Sequence, residues 1–125
     1  MRFMTMVKSA ENAGPPPKAL MDAMAKLGDE SFKEGTMIEI GGLLPSAAGV
    51  RVRLADGKLT VTDGPFVESK EVVGGYAVIE VKSKKEAIEQ TIRFMELHKE
   101  HWPEWEGETE IRQIFDNSNG GAVAK

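Results

Sequence analysis

The sequence predicts an α+β fold in which two β-α-β units share one antiparallel sheet and a β-hairpin is inserted between the units. Two observations support this prediction. Two segments with apolar residues at helical spacing are each flanked by short strand-like segments, and another segment alternates apolar and polar residues on both sides of an Asp-Gly pair. The 125 residues are the length of one domain, and a chain of this length can bury a core without disulfides or metal.

The first β-α-β unit occupies residues 2–42. Residues 2–8 are short and apolar on both faces, which is typical of a central strand. A helix is predicted over residues 17–33, because a proline suits the first helical turn and Gly35 suits a left-handed stop. The apolar stripe of this helix consists of Leu20, Met24 and Leu27. Residues 36–42 form the second strand.

Residues 49–62 form the clearest hairpin of the sequence. Asp56 and Gly57 supply the positive φ angles that a tight hairpin turn requires. The apolar positions that alternate with polar ones are Val50, Val52, Leu54, Leu59 and Val61. We expect this apolar face to lie on a core and the opposite face to be in water. The basic residues of that opposite face, Arg51, Arg53 and Lys58, form either an ordinary soluble surface or an anion-binding rim.

The second β-α-β unit begins with a strand over residues 74–82. Ser83 and Glu86 have capping-box spacing, so a helix is predicted from residue 84 to residue 98 or beyond, and Pro103 ends it. The side chains of this helix that we expect to be buried are Ala87, Ile88, Thr91, Ile92 and Met95.

Residues 108–115 form the last strand, so the folded domain covers residues 1–116 and residues 117–125 are expected to be a flexible tail. With right-handed crossovers, both helices lie on one face of an antiparallel sheet, which is the split β-α-β, ferredoxin-like arrangement. The other face of that sheet is left bare. Because the strands are apolar on both sides, we expect a second copy of the chain to cover it, and we predict a homodimer.

Composition and charge exclude several classes of protein. The chain has no cysteine, which excludes disulfides, thiolate catalysis and cysteine-ligated metals. The net charge of −4 argues against nucleic acid as a partner, and the short apolar runs argue against a membrane span. Without a signal-peptide core, a cytoplasmic location is expected. No nucleotide-binding, serine-hydrolase or zinc-protease motif is present, so no cofactor is predicted.

Ionisable residues and glycines are densest between residues 62 and 76. The motifs in this segment are Asp63-Gly64-Pro65-Phe66, Glu68-x-Lys70-Glu71 and Gly74-Gly75-Tyr76. With them the sequence resembles the YCII-related (DGPF-domain) family, and the resemblance extends over nearly the whole folded part. It implies an α+β barrel completed by dimerisation and no settled reaction. It also implies a His–Asp pair in enzymatic members, but the first helix and the strands hold no histidine, so only Asp63 is carried over as a candidate.

Asp63 has two interpretations. An aspartate that opens Asp-Gly-Pro can cap its own turn, or it can act as a general base whose pKa is raised by burial beside Phe66. The nearby Glu68, Lys70 and Glu71 are either solvated ion pairs or a clamp for an anionic ligand. The candidate ligand-binding residues are therefore Phe66, Glu68, Lys70, Glu71, Tyr76 and Arg112.

His98 and His101 lie at the end of the second helix, where the helix dipole favours a protonated imidazole and a structural role. Their i, i+3 spacing could supply two metal ligands, but no third ligand accompanies them, so no metal site is predicted.

Three functions are compatible with these residues. The first is a cofactor-free enzyme that acts on a small anionic or carbonyl-bearing molecule, with Asp63 as base and Lys70 or Arg112 stabilising negative charge. The second is a non-catalytic module that binds a small ligand or regulates, by family analogy, the transcription machinery. The third is a purely structural dimer. The density of ionisable groups in one loop favours the first.

Overall fold

The computed structural model describes residues 1–66 and 70–115. The strands are β1 (Arg2–Ser9), β2 (Met37–Gly42), β3 (Val50–Ala55), β4 (Lys58–Asp63), β5 (Val72–Glu80) and β6 (Gly107–Gln113). The helices are α1 (Lys18–Lys33) and α2 (Lys84–His101), and two short 3₁₀ turns cover Glu11–Ala13 and Ser46–Ala48. The predicted order of elements is confirmed. The predicted tail, residues 117–125, lies outside the described residues.

β2, β5, β1 and β6 form one antiparallel sheet in that order. β1 and β2 are thus parallel to each other on either side of β5, and α1 connects them. β5 and β6 are related in the same way around β1, with α2 as their connection. These are the two predicted β-α-β units, and the α+β, ferredoxin-like fold is confirmed.

The core lies on the face of the sheet that the helices cover. In the register of β1 and β5, Phe3 is opposite Ile79 and Thr5 is opposite Ala77, and all four side chains are buried. Leu20 of α1 and Ala87 of α2 are fully buried above them. The two central strands therefore form the floor of this core, and both helices cover it.

α2 begins as the capping box predicts. The Ser83 Oγ accepts a hydrogen bond from the Glu86 N–H at 3.1 Å. Ala87 and Thr91 are buried as expected, but Ile88 and Ile92 are 40% and 51% exposed, so their predicted burial is wrong. The helix presents Ala87, Thr91 and His98 to the core, and this stripe is narrower than the one that the apolar residues of the sequence suggest.

β3 and β4 form a separate two-stranded sheet. Asp56 and Gly57 have φ angles of 53° and 75°, which confirms the predicted turn. All twelve strand residues are exposed, so the core contact expected for the apolar face is not made within this chain. The hairpin pairs with itself and adds no strand to the larger sheet, so its apolar side chains do not reach that core.

The second face of the four-stranded sheet carries both apolar and charged side chains, and we call it the open face. Met4 is opposite Val78, and Met6 is opposite Tyr76, in the register of β1 and β5. All four side chains are partly exposed. The strands are thus apolar on both sides, as the sequence indicates. Within the described residues, neither helix is long and apolar enough to cross a membrane.

Candidate functional site

A cavity of about 560 Å³ lies at the base of the hairpin. Its walls come from the turn Glu11–Ala13, the β2–β3 connection, the beginning of β3 and the approach to β5. The lining residues that we use below are Glu11, Leu43, Leu44, Ser46, Arg51, Phe66, Glu71, Val72 and Val73. We call this the Ser46 cavity.

Ser46 connects three segments around this cavity. The Ser46 Oγ–H donates to Glu11 Oε1 at 2.6 Å, and the Ser46 backbone N–H donates to Glu11 Oε2 at 2.5 Å. The Ser46 Oγ also accepts a hydrogen bond from the Phe66 N–H at 3.1 Å. The hydroxyl donation, followed by the backbone donation, lowers the pKa of Glu11 below its usual value. The ionised carboxylate of Glu11 therefore connects the first 3₁₀ turn to the β2–β3 connection.

Gly64 lies directly against Ser46. A Cβ at Gly64 would lie 1.7 Å from the Ser46 carbonyl oxygen, and the Gly64 N–H donates to the Gly49 carbonyl at 2.9 Å. Only a residue without a side chain allows the backbone to approach this closely. The glycine of the Asp-Gly-Pro motif thus holds the end of β4 against the β2–β3 connection.

Arg51 and Phe66 form a wall shared by two hollows. The Arg51 guanidinium lies 3.9 Å from the centre of the Phe66 ring, which is a cation–π contact. Both residues line the Ser46 cavity and also a second hollow of about 580 Å³ on the polar side of the hairpin, which Arg53 and Thr62 border. The positively charged guanidinium of Arg51 is thereby held where the two hollows meet.

The structure does not bring the predicted site residues that it describes together in one place. Phe66 and Glu71 line the Ser46 cavity, whereas Lys70 is exposed and outside its lining. Asp63 is the exposed last residue of β4, opposite Val50, and is not among the lining residues of either hollow. Glu68 lies outside the described residues.

Tyr76 and Arg112 belong to the open face of the sheet and not to the Ser46 cavity. The Tyr76 hydroxyl donates to Glu39 Oε2 at 2.7 Å, and this hydrogen bond to a carboxylate raises the pKa of Tyr76. The Arg112 guanidinium donates to Glu110 Oε2 at 3.2 Å. Lys8 donates to the other oxygen of Glu110 at 3.1 Å, and these contacts lower the pKa of Glu110. The open face thus carries two separate polar groups, Tyr76 with Glu39 and Glu110 with Lys8 and Arg112.

Glu11 and Ser46 are site residues that the sequence analysis missed. They are 35 positions apart, and neither belongs to a motif that indicates pairing. The only local signal is a serine after a proline in an apolar loop, which is typical of a short turn.

His98 is buried among aromatic rings and not at a metal site. Its ring lies 4.8 Å from Phe94 and 4.6 Å from Trp105, and Trp102 stacks on Trp105 at 6.0 Å. Burial lowers the pKa of His98, and this outweighs the opposite effect of the Phe94 carbonyl, which lies 3.1 Å from Nδ1. At His98, the effect of burial is thus opposite to the helix-dipole effect that the sequence suggests. No cluster of three potential metal ligands occurs within residues 1–66 and 70–115.

Comparison with known protein families gives a match to most of the chain. No curated protein matches the chain. The YCII-related domain matches residues 1–116, which includes both β-α-β units, the hairpin and every residue of the Ser46 cavity. The chain belongs to the YCII-related domain family.

Proposed function

We propose that the Ser46 cavity binds a small molecule that has an apolar body and an anionic or carbonyl oxygen. The observation that carries this proposal is the placement of the Arg51 guanidinium on the Phe66 ring, at the junction of the two hollows. Arginine donates several hydrogen bonds in one plane, so it suits carboxylate and carbonyl oxygens.

The lining of the cavity supports the same class of ligand. Leu43, Leu44, Val72 and Val73 supply apolar contacts, and a cavity of about 560 Å³ is within the usual range for small-molecule sites. The Glu71 carboxylate is a hydrogen-bond acceptor in the same lining, so it suits a ligand hydroxyl or amine.

Binding is tested with α-ketoisocaproate, which combines a branched apolar body, a ketone and a carboxylate. Amide shifts of residues around the Ser46 cavity report its binding in an NMR titration. We expect Arg51→Met to weaken the affinity at least about tenfold, the value of one charge-assisted hydrogen bond. Arg53→Met is the matched control, because Arg53 borders only the second hollow. Equal weakening by both variants, or equal affinity for methyl isobutyl ketone, would contradict recognition of the anion by Arg51.

We further propose that the working form is a homodimer. The support is the open face, where Met4, Met6 and Val78 are only partly covered by their own chain. Sheets of this kind require a second layer to bury such side chains. Sedimentation of a single 13.7 kDa species at micromolar concentration would contradict the dimer.

Catalysis by Asp63 is a second candidate function. Its support is position: Asp63 directly precedes Gly64, which is held against Ser46, and Phe66 of the cavity wall follows shortly after. The chemistry that we assign to the Asp63 carboxylate is that of a general base toward a carbon next to a carbonyl group.

Exchange of the ketone-adjacent protons of α-ketoisocaproate with D₂O measures this activity by NMR. We expect Asp63→Asn to reduce the enzyme-dependent rate about 100-fold or more, because general bases contribute that much. Asp56→Asn is the control, since asparagine tolerates the positive φ angle at position 56. Equal exchange by wild type and Asp63→Asn excludes the base. A large loss of thermal stability in Asp63→Asn indicates a turn-capping role instead.

A further inference from the structure

The polar face of the hairpin carries cations and hydroxyl groups side by side. In the register of β3 and β4, Arg51 is opposite Thr62 and Arg53 is opposite Thr60. Because successive side chains of a strand point to opposite faces, these four side chains share one face, whereas Asp63 is on the other. This face therefore presents two guanidinium groups and two hydroxyl groups, and all four groups can donate hydrogen bonds.

The second hollow, of about 580 Å³, lies on this polar face. Its lining residues are Arg51, Val52, Arg53, Thr62, Pro65 and Phe66. No carboxylate is among the lining residues that the structure describes, whereas the Ser46 cavity is lined by Glu11 and Glu71. The charge of the described lining is thus only positive, in a chain whose net charge is −4.

The two arginines bring like charges into one hollow. Arg51 and Arg53 are two residues apart on β3, so their Cα atoms are about 6.6 Å apart. Like charges at such a separation repel each other, and an anion between them lowers that repulsion. Arg53 forms no ion pair with any of residues 1–66 and 70–115, so the described part of its own chain does not neutralise it. The hollow is therefore electrostatically suited to an anion.

The donors of the hollow are held in place by contacts that need no ligand. The Arg51 guanidinium lies 3.9 Å from the centre of the Phe66 ring, and the Phe66 N–H donates to the Ser46 Oγ at 3.1 Å. Stacking on a ring uses the flat face of a guanidinium, whereas its hydrogen-bond donors point outward in its plane. The pairing of β3 with β4 fixes Thr62 beside Arg51. Groups that are already held in position lose little entropy when a ligand binds.

We propose that the second hollow binds the phosphate group of a small phosphate monoester, with Arg51, Arg53 and Thr62 as hydrogen-bond donors. A phosphate monoester carries close to two negative charges above pH 7 and has three acceptor oxygens, so it suits two guanidinium groups and one hydroxyl. A carboxylate is satisfied by one bidentate arginine. The negative net charge of the chain disfavours a long polyanion such as DNA.

This phosphate site goes beyond the ligand site proposed for the Ser46 cavity. Arg51 borders both spaces, but Arg53 and Thr62 line only the second hollow. Substitution of Arg53 or Thr62 therefore tests the phosphate site alone. The affinity for α-ketoisocaproate remains the separate measure of the Ser46 cavity.

Binding is tested with methyl phosphate at pH 8 and physiological ionic strength, in an NMR titration that follows the backbone amides of β3 and β4. We expect saturable shifts, and we expect Arg53→Met to weaken the affinity at least about tenfold. Lys58→Met is the matched control, because it removes the same charge from the same face of the hairpin but lies outside the lining. It should weaken the affinity less than about threefold, since salt screens a distant charge.

A second pair of variants tests the hydroxyl without a change of charge. Thr62→Val removes a donor from the lining, and Thr60→Val removes one from the same face outside it. Both variants keep a β-branched side chain, which suits a strand. We expect Thr62→Val to weaken methyl phosphate binding about fivefold, the value of one hydrogen bond, and Thr60→Val less than about twofold. Equal affinities of these two variants would remove Thr62 from the site.

The outcomes separate this proposal from that of the Ser46 cavity. Absence of saturable binding overturns the phosphate site. Equal weakening by Arg53→Met and Lys58→Met also overturns it, because this result shows a diffuse attraction. Equal affinities for acetate and methyl phosphate overturn the phosphate class. Tighter binding of a short single-stranded DNA, with shifts that reach Lys58, overturns the small-molecule site in favour of a polyanion surface. Loss of α-ketoisocaproate binding alone overturns the Ser46 cavity and leaves the phosphate site standing.

Discussion

The four-stranded sheet and the β3–β4 hairpin hold their apolar side chains in opposite environments. In the sheet, Phe3 and Ile79 are 3% and 2% exposed under the helices. In the hairpin, Leu54 and Val61 are 71% and 70% exposed, although their pattern is the more regular one. Alternation of apolar and polar residues shows that one face of a strand is apolar. Whether a helix covers that face depends on how the strand is connected in the fold, and here α1 and α2 cover the four-stranded sheet but not the hairpin. The difference shows that a regular pattern identifies an apolar face but does not show whether that face is buried.

The largest difference between the two regions is expected for truncation of a large side chain. Ile79→Ala should lower the free energy of unfolding by about 3 kcal/mol, because it leaves a cavity in the core. Val61→Ala should change it by less than about 0.5 kcal/mol at concentrations where the chain is monomeric. Urea denaturation measures both. A loss at Val61 that grows with protein concentration would place this residue in an interface.

The base of the hairpin, where the two regions meet, should be sensitive to a single methyl group. Gly64→Ala should lower the free energy of unfolding by about 2 kcal/mol, because its Cβ would collide with the Ser46 carbonyl oxygen. Gly74→Ala is the control, since nothing lies within 4 Å of a Cβ at that position. Similar stability of the two variants would show that the backbone at Gly64 moves away without cost.

Ser46→Ala, also at the base of the hairpin, should lower the free energy of unfolding by less than Gly64→Ala does. The substitution removes the hydroxyl that bonds Glu11 and Phe66, while the backbone hydrogen bond to Glu11 remains. We expect a loss of about 1 kcal/mol in urea denaturation, as for one hydrogen-bonded group at a partly solvated site. We also expect faster amide exchange at Phe66 than in the wild type. Unchanged exchange there would show that Ser46 does not hold the cavity wall.

The smallest expected effect is the change of stability with pH that His98 causes. It belongs to the helix-covered part of the molecule, because both histidines of the chain lie in α2. Burial lowers the pKa of His98 in the folded state. The unfolded chain therefore binds the proton more readily, and stability falls as the pH decreases below 6.5 toward the lowered pKa. His98→Gln should lose less stability than the wild type between pH 7.5 and pH 5.5. Parallel losses would assign the pH dependence to other groups.

Features formed by neighbours in sequence were predictable. The capping box at Ser83, the Asp56-Gly57 turn and the two β-α-β units all depend on local rules of spacing and backbone geometry. The family was also predictable, because its motifs are short and specific. Phe66 and Glu71, which line the same cavity, were predictable as site candidates because they belong to these motifs.

Features that depend on distant contacts were not predictable. The pairing of Glu11 with Ser46 spans 35 positions, and no periodicity connects them. The burial of His98 depends on Trp105 folding back across its ring, which opposes the local effect of the helix terminus. The separation of Tyr76 from the Ser46 cavity follows from the sheet register, where it lies opposite Met6 on the open face.

The aromatic group around His98 has a practical consequence for spectroscopy. The chain has two tryptophans, Trp102 and Trp105, and both lie beside this histidine at the end of α2. Their intrinsic fluorescence therefore monitors the helix-covered part of the molecule, and neither indole lies in the hairpin. A change in tryptophan emission will therefore report unfolding near the end of α2. Movement of the hairpin will not change this emission, so a dye attached to the hairpin is needed to detect it.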